Sequence, residues 1–457
     1  MTDTTTVTYL GESTLTGSDL VLQTASGLGP DGLVSHPRFF DGFLTEPELG
    51  ARALLAVANV AATSYYQRIN WASLDPVVTS DGEGLRFESF SGCCGVYARY
   101  DVLPNGLSTP PSQRGTTNVD VNLPLRRALA LVTGREPMHL SVGPNDLTVT
   151  TLDSKVVEHK VTLPQRWVRG FAEAPAATHG MELRFEVPAV TARRFLQSLP
   201  KSGRGGDSTW VVASGPMLRA VARPTPEAVC LAGPHRLREM EPLLRFATSL
   251  RAYGPAYSGR PVASTWELVL NGGRLTLTLS PQVDRGFSGE GGVLDALASG
   301  DGKDDAARVI DALAWLPGSQ LDTLAFALGI DEPAALRALA TLGTSGRVGY
   351  DLAERAWFHR ELPFEPDRVE QANPRLVAAR ELLAAGAVDD RGEIVIVRSG
   401  DHAQQVRRTA EGLSCTCQWW TAYAGTRGPC KHVLAVTLAQ QSPADASSPA
   451  ARPQTLT

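Results

Sequence analysis

Four side chains near the end of this 457-residue chain have the types and spacing to do chemistry. Cys415 and Cys417 are separated by one residue, twelve residues follow, and Cys430 and His432 are again separated by one. Three thiols and one imidazole form a closed tetrahedral set for Zn²⁺, the ion that best suits such a shell in a reducing compartment. Alternate residues of an extended strand share a face, so Cys415 and Cys417 can reach one ion. Gly428 and Pro429 permit the chain to turn back, and the helical run KHVLAVTLAQ puts His432 in its first turn. Upstream, GEIVIVRSGDHAQQVRRTAEGLSCTC reads as a two-stranded hairpin whose second strand delivers the cysteines, so the expected unit is ββα with metal as its core. Four protein ligands leave no position for water, which makes the one expected zinc structural.

C-x-C-x₁₂-C-x-H, with SCTC before it and PCKHVLAV after it, resembles the SWIM-type zinc finger over about residues 393–440. The resemblance implies a module that binds DNA or protein. A long α+β region ahead of a C-terminal finger also resembles bacterial SWIM-family proteins that accompany MoxR-type AAA+ ATPases and von Willebrand A-domain proteins, which implies those two as partners. Local charge allows either class of target, since residues 391–441 carry six basic and three acidic side chains. Arg407, Arg408, Arg427 and Lys431 could touch phosphates, and Trp419, Trp420 and Tyr423 could stack on unpaired bases. The same aromatics could instead lid the zinc in a module with little other core. A protein partner is the favoured expectation and DNA the alternative.

Composition bounds the remaining classes. A chain of this length holds two to four domains, and 43 % hydrophobic residues suffice for real cores. A net charge of −5 excludes bulk electrostatic coating of nucleic acid or anionic membrane. Only five of the 43 basic residues are lysines, a bias that reads as a high-GC bacterial genome. No apolar run approaches the ~20 residues that span a bilayer, and the start lacks a signal-peptide pattern, so a cytoplasmic protein without membrane contact is expected.

The elements that must carry the finger read as an α+β multidomain chain. Residues 1–285 form an N-terminal region rich in antiparallel strands. In TEPEL, Thr45 as N-cap, Glu48 and Pro47 predict a helix from about 47 to 66. SGCCG is a turn between strands, with Cys93 and Cys94 as small buried thiols. Between 119 and 226 the order strand, helix, strand, strand occurs twice, and such repeated β-α-β-β units resemble sliding-clamp subdomains. HRLREMEPLLRFATSL, 235–250, reads as an amphipathic helix.

Residues 286–303 read as a linker. Three helical stretches and a strand pair over 304–365 then predict a winged helix, with Asp331 capping the third helix. Its ten acidic and five basic side chains, with Arg337 the one cation on the candidate recognition helix, argue for packing or protein docking over DNA reading. Residues 366–392 form a connecting helix and linker, 393–440 the finger and 441–457 a disordered tail. No nucleotide-binding, hydrolase or metalloprotease motif is present. The expectation is a non-enzymatic adaptor, with an enzyme in the N-terminal region targeted by the finger as a second alternative.

Overall fold

The computed structural model describes residues 38–66, 76–161, 163–203, 208–257, 259–298, 303–314, 316–362, 373–410 and 412–441, with short strand segments at 14–16, 19–21, 27–29 and 32–34. The chain divides into two compact units, Met1–Val293 with Gly302–Ala372, and Leu294–Asp301 with Asn373–Thr457. The expected tail after 441 lies outside the described residues. No helix among the described residues is long and apolar enough to cross a membrane.

Strand-forming text builds the first unit. Its leading elements are β1 (Phe40–Phe43), α1 (Pro47–Ala62), β2 (Val77–Ser80), β3 (Leu85–Phe90) and β4 (Val96–Val102). There follow β5 (Gly115–Asn118), α2 (Leu123–Leu131), β6 (His139–Val142), β7 (Asp146–Thr150), β8 (Lys155–His159) and α3 (Gln165–Thr178). Next come β9 (Glu182–Pro188), α4 (Ala189–Ser198), β10 (Ser208–Ser214), β11 (Met217–Val221) and β12 (Val229–Ala232), then β13 (Ala247–Gly254), β14 (Ser264–Leu270) and β15 (Gly273–Leu279). Eight of these strands form one antiparallel sheet in the order β9-β13-β14-β15-β4-β3-β2-β5, closed in the middle by the β15–β4 pairing. The order strand, helix, strand, strand falls at β5-α2-β6-β7, its leading strand ending at Asn118 rather than occupying the expected 119–124, and again at β9-α4-β10-β11. In both stretches the leading strand joins the large sheet and the following hairpin joins a smaller one.

Two expected helices differ. The first ends at Ala62, and its N-cap is Glu46 without a side-chain cap, because the Thr45 hydroxyl donates instead to the Asn105 carbonyl at 3.1 Å. The stretch expected as a helix over 235–250 is a 3₁₀ segment, Pro234–Leu243, followed by β13. Pro242 lacks the N–H a continuing helix needs, and β13 is required between β9 and β14, where Leu250 and Ala252 reach the core. Helix α3, which the sequence reading passed over, buries Trp167, Val168, Phe171 and Ala174.

The segment expected as a linker contains ordered structure. Phe287 is buried, Arg285 is ion-paired with Glu290, and Leu294–Ala298 forms a short helix, α5. Beyond it lie α6 (Lys303–Leu313), α7 (Leu321–Leu328), α8 (Glu332–Thr344) and the antiparallel pair β16 (Val348–Asp351) and β17 (Ala356–His359). Asp331 caps α8 as expected, its carboxylate accepting from the Ala334 amide at 2.7 Å. These elements share a unit with the N-terminal region, and α8 packs along α3.

Charge as well as apolar burial joins them. Arg86 and Arg99 donate to Asp101 at 2.7 and 2.8 Å, while Arg99 and Arg274 reach Asp351 on β16 at 3.0 and 2.8 Å. All five side chains are buried, and the Phe358 ring lies 3.7 Å from the Arg86 guanidinium. Burial alone would push the Asp351 carboxyl up. Arg99, Arg274 and Arg86 more than reverse this and hold it well below the usual carboxylate range. Nearby, Arg360 pairs with buried Glu88 at 2.7 Å and stacks 4.3 Å from the Phe171 ring.

The second unit is built on α9 (Pro374–Ala384) and a four-stranded antiparallel sheet of β18 (Val388–Asp390), β19 (Ile394–Ser399), β20 (His402–Thr409) and β21 (Gly412–Cys415). Two helices, α10 (Gln418–Tyr423) and α11 (Lys431–Gln441), complete it. The expected ββα unit is therefore enlarged. The hairpin is β19–β20, and a third strand rather than the second carries the first cysteine, since the chain turns again at Thr409–Gly412. α5 packs on α11 and belongs to this unit.

Candidate metal centre

Each of the four expected ligands is placed by the end of an element. Cys415 is the last residue of β21, paired with Val406, and the thiol faces inward. Cys417 is the N-cap of α10, and its sulfur accepts from the Trp420 amide at 3.5 Å. Cys430 immediately precedes α11 and accepts from the Val433 amide at 3.5 Å, while His432 sits in the first turn of that helix. Two of the thiols thus lie at helix N-termini, where the unpaired amides favour a thiolate.

All four side chains are buried, and their ligand atoms lie within 4.8 Å of one another. His432 turns Nδ1 toward the sulfurs, 3.8 Å from Cys415 Sγ and 4.0 Å from Cys430 Sγ. A tetrahedral ion with bonds of about 2.3 Å to sulfur and about 2.0 Å to nitrogen would place S and N roughly 3.5 Å apart. Both S–N separations are within about half an ångström of that. The sulfurs also contend for protons. A hydrogen bond from Cys415, outweighing burial, pulls the Cys430 thiol down to about 4, whereas Cys415, hydrogen-bonded to Cys430 and buried, is pushed up. A divalent cation relieves that competition by replacing the shared proton. The set therefore fits one structural zinc ion, with no coordination position left for water.

Residues 406–441 match the family model of the SWIM zinc finger. The module is a SWIM zinc finger. No curated protein matches the chain. Among solved structures the chain is similar to the proliferating cellular nuclear antigen of Entamoeba histolytica, with 10 % identity over 53 % of this chain and 99 % of that one and a TM-score of 0.37. It is also similar to the PCNA2–PCNA3 complex of Sulfolobus tokodaii, with 10 % identity over 53 % of this chain and 100 % of that one and a TM-score of 0.41. Similarity of this size carries no argument about what the chain binds.

Around the SWIM finger's ligands the aromatic residues pack inward. Trp419 and Trp420 are half-buried against the cysteine cluster, and the Trp419 and Tyr423 rings lie 4.6 Å apart. Trp420 rests over the Gly425 position, where an added Cβ would come within 3.3 Å of the indole and φ is +76°. Arg427 stacks on both Tyr423 and Trp419, at 4.9 and 5.3 Å. Arg408 forms a bidentate pair with Asp390 on β18 at 2.7 and 3.0 Å, and Asp390 is drawn down to about 2, chiefly by that hydrogen bond. Arg407 points to the opposite side of β20 and is exposed, and Lys431 is half-buried at the start of α11. Sequence reasoning missed Arg375, on the first turn of α9. Its Nη1 donates to the carbonyls of Arg427 and Pro429 at 2.6 and 3.1 Å, and its guanidinium lies 4.6 Å from the Trp419 ring. No spacing rule links it to the ligands, because it lies forty residues before the first cysteine.

Proposed function

We propose that the protein is a cytoplasmic, non-enzymatic adaptor whose SWIM finger recognises a protein partner. The observation that carries this reading is the state of the four cations that would line a phosphate track. Arg408 is engaged by Asp390, Arg427 is stacked on Trp419 and Tyr423, and Lys431 is half-buried, which leaves Arg407 as the one exposed member. DNA affinity rests largely on phosphate neutralisation, so one exposed arginine supports little of it.

The order of three helices and a strand pair over 303–359 supports reading that segment as a winged helix, with α8 as the candidate recognition helix. Its packing on α3 and the acidic balance of the segment support a docking or packing role. The strand, helix, strand, strand stretches led by β5 and β9 are read as repeated units of one scaffold. By resemblance of the whole arrangement, an AAA+ ATPase or a von Willebrand A-domain protein is the partner class to examine first.

Binding to a random-sequence duplex, followed by fluorescence anisotropy across a salt series, tests the reading. The expected dissociation constant at physiological salt lies in the non-specific range of roughly 10⁻⁴ to 10⁻⁶ M, with a log K against log salt slope near −0.9 for one phosphate contact. Nanomolar binding at that salt, lost in the Arg407→Ala/Arg408→Ala double variant, would overturn it in favour of DNA recognition.

A further inference from the structure

We propose that Arg375 is a positioning residue for the zinc centre, a latch that holds the ligand loop closed and slows zinc loss. The ligand loop runs from Cys417 to Cys430, and its second half must deliver Cys430 Sγ to the site. That half is a run of tight turns, in which the Thr426 amide donates to the Tyr423 carbonyl at 2.8 Å and the Gly428 amide to the Gly425 carbonyl at 3.0 Å. Ala424 is left-handed at φ +44°, Gly425 and Gly428 are left-handed as well, and α10 contains no fully buried residue.

Arg375 ties these turns to α9. Two carbonyls, those of Arg427 and Pro429, converge on its Nη1, so the guanidinium fixes the chain on both sides of Gly428 and immediately before Cys430. The same guanidinium lies over the Trp419 ring, whose neighbours are Tyr423 and Arg427. One side chain thus ties both arms of the loop, the α10 arm through Trp419 and the Cys430 arm through the carbonyls. A guanidinium lays its flat face on the ring while its edge donates to both carbonyls, whereas a lysine ammonium is a point charge with no plane to stack.

Arg375 precedes the stretch 406–441 that matches the finger family, and the elements carrying it close on the same core: Leu382 of α9 and Val388 of β18 pack on the cysteine cluster. The working zinc module of this chain therefore includes α9. This inference rests on the zinc centre alone and is independent of whether the finger's partner is protein or DNA.

Full-length zinc-loaded protein is mixed with excess chelator, and zinc release is followed by a chromogenic indicator, while the Trp419 contribution to the near-ultraviolet circular dichroism of the chain's eight tryptophans is taken as the difference from a Trp419→Phe variant. Arg375→Ala should release zinc roughly tenfold faster than the unaltered chain, the low end of what loss of a supporting partner costs a metal site. Arg375→Lys should be nearly as fast and should share the loss of the tryptophan signal. Arg391→Ala, which removes an exposed arginine paired with Asp389 elsewhere in the module, should release zinc at the unaltered rate. An unchanged rate in Arg375→Lys overturns the latch even if Arg375→Ala fails to fold. Acceleration in Arg391→Ala equal to that in Arg375→Lys also overturns it, because general loosening would then explain both.

Discussion

Around Asp351, three arginines and two aspartates are sealed beneath a broad sheet, while around Cys430 three sulfurs and an imidazole face one another inside a small sheet and three helices. Both are buried clusters of groups that water would otherwise solvate, but the first joins strands far apart in sequence, whereas the ligands of the second all fall between Cys415 and His432. They differ in where the compensation comes from. The two aspartates of the first cluster offset two of its arginines and Glu354, 3.0 Å from Arg274, offsets the third, and that cluster borders an extensive apolar core. Among the described residues, the buried apolar side chains clustered with the ligand cysteines are Val395, Val397, Val406, Val433 and Val436, and α10 in the ligand loop buries none of its residues fully. A large unit can afford buried charge as an added specification of packing, whereas a small one must take most of its folding free energy from a bound ion.

The largest test of this contrast is metal removal. Apparent zinc affinities of finger peptides at neutral pH amount to about 10–16 kcal/mol, so chelation should unfold the second unit while the first keeps its thermal transition. Cys430→Ser should do the same without chelator. Calorimetry with and without EDTA, alongside elemental zinc analysis, provides the measurement, and one shared transition lost in a single step would erase the contrast.

Asp351→Ala probes the other cluster. It strands Arg99 and Arg274 in a buried site, and breaking a buried ion pair typically costs about 3–5 kcal/mol. The expected outcome is a lower first-unit transition with unchanged zinc content. The acid limb should report the same group. Because the folded carboxyl titrates below its ordinary 3.8, its contribution is present above that value and is lost as pH falls through the depressed one. The unaltered chain should lose first-unit stability as pH drops below about 4, and Asp351→Ala should show less of that loss.

The smallest effect belongs to Asp331→Ala, which removes the cap from α8 but no buried charge. A cap of this kind is worth about 1 kcal/mol, so a loss comparable to that of Asp351→Ala would mean that α8, and not the ion cluster, dominates the attachment of residues 303–362.

The zinc ligands and the α8 cap were legible in the sequence because each depends on residues within a turn or two of one another, where spacing alone fixes geometry. Cys415 with Cys417, Cys430 with His432, and Asp331 with Ala334 are of this kind. The Arg86, Arg99, Asp101, Arg274 and Asp351 cluster was not legible, since its members span 265 positions and meet only once β15 pairs with β4. Residues 235–250 misled for a related reason. Their apolar spacing suits a helix, but Pro242 and the vacancy between β9 and β14 impose a strand on the second half. Arg375 escaped because an arginine on a helix start gives no sign of which carbonyls it will meet.

Helix α5, five residues long, lies in the chain before the three-helix segment and yet belongs with the finger. The polypeptide therefore passes from one unit to the other three times, at 293–294, 301–302 and 372–373. A single protease cut between 363 and 372 would not release the finger. The nicked halves would remain associated through α5, with Leu294 and Leu297 still buried, until chelator or denaturant unfolds the second unit. The boundary between the units is therefore not a point on the chain, and a C-terminal fragment beginning at 373 would carry the exposed apolar seat of a missing helix.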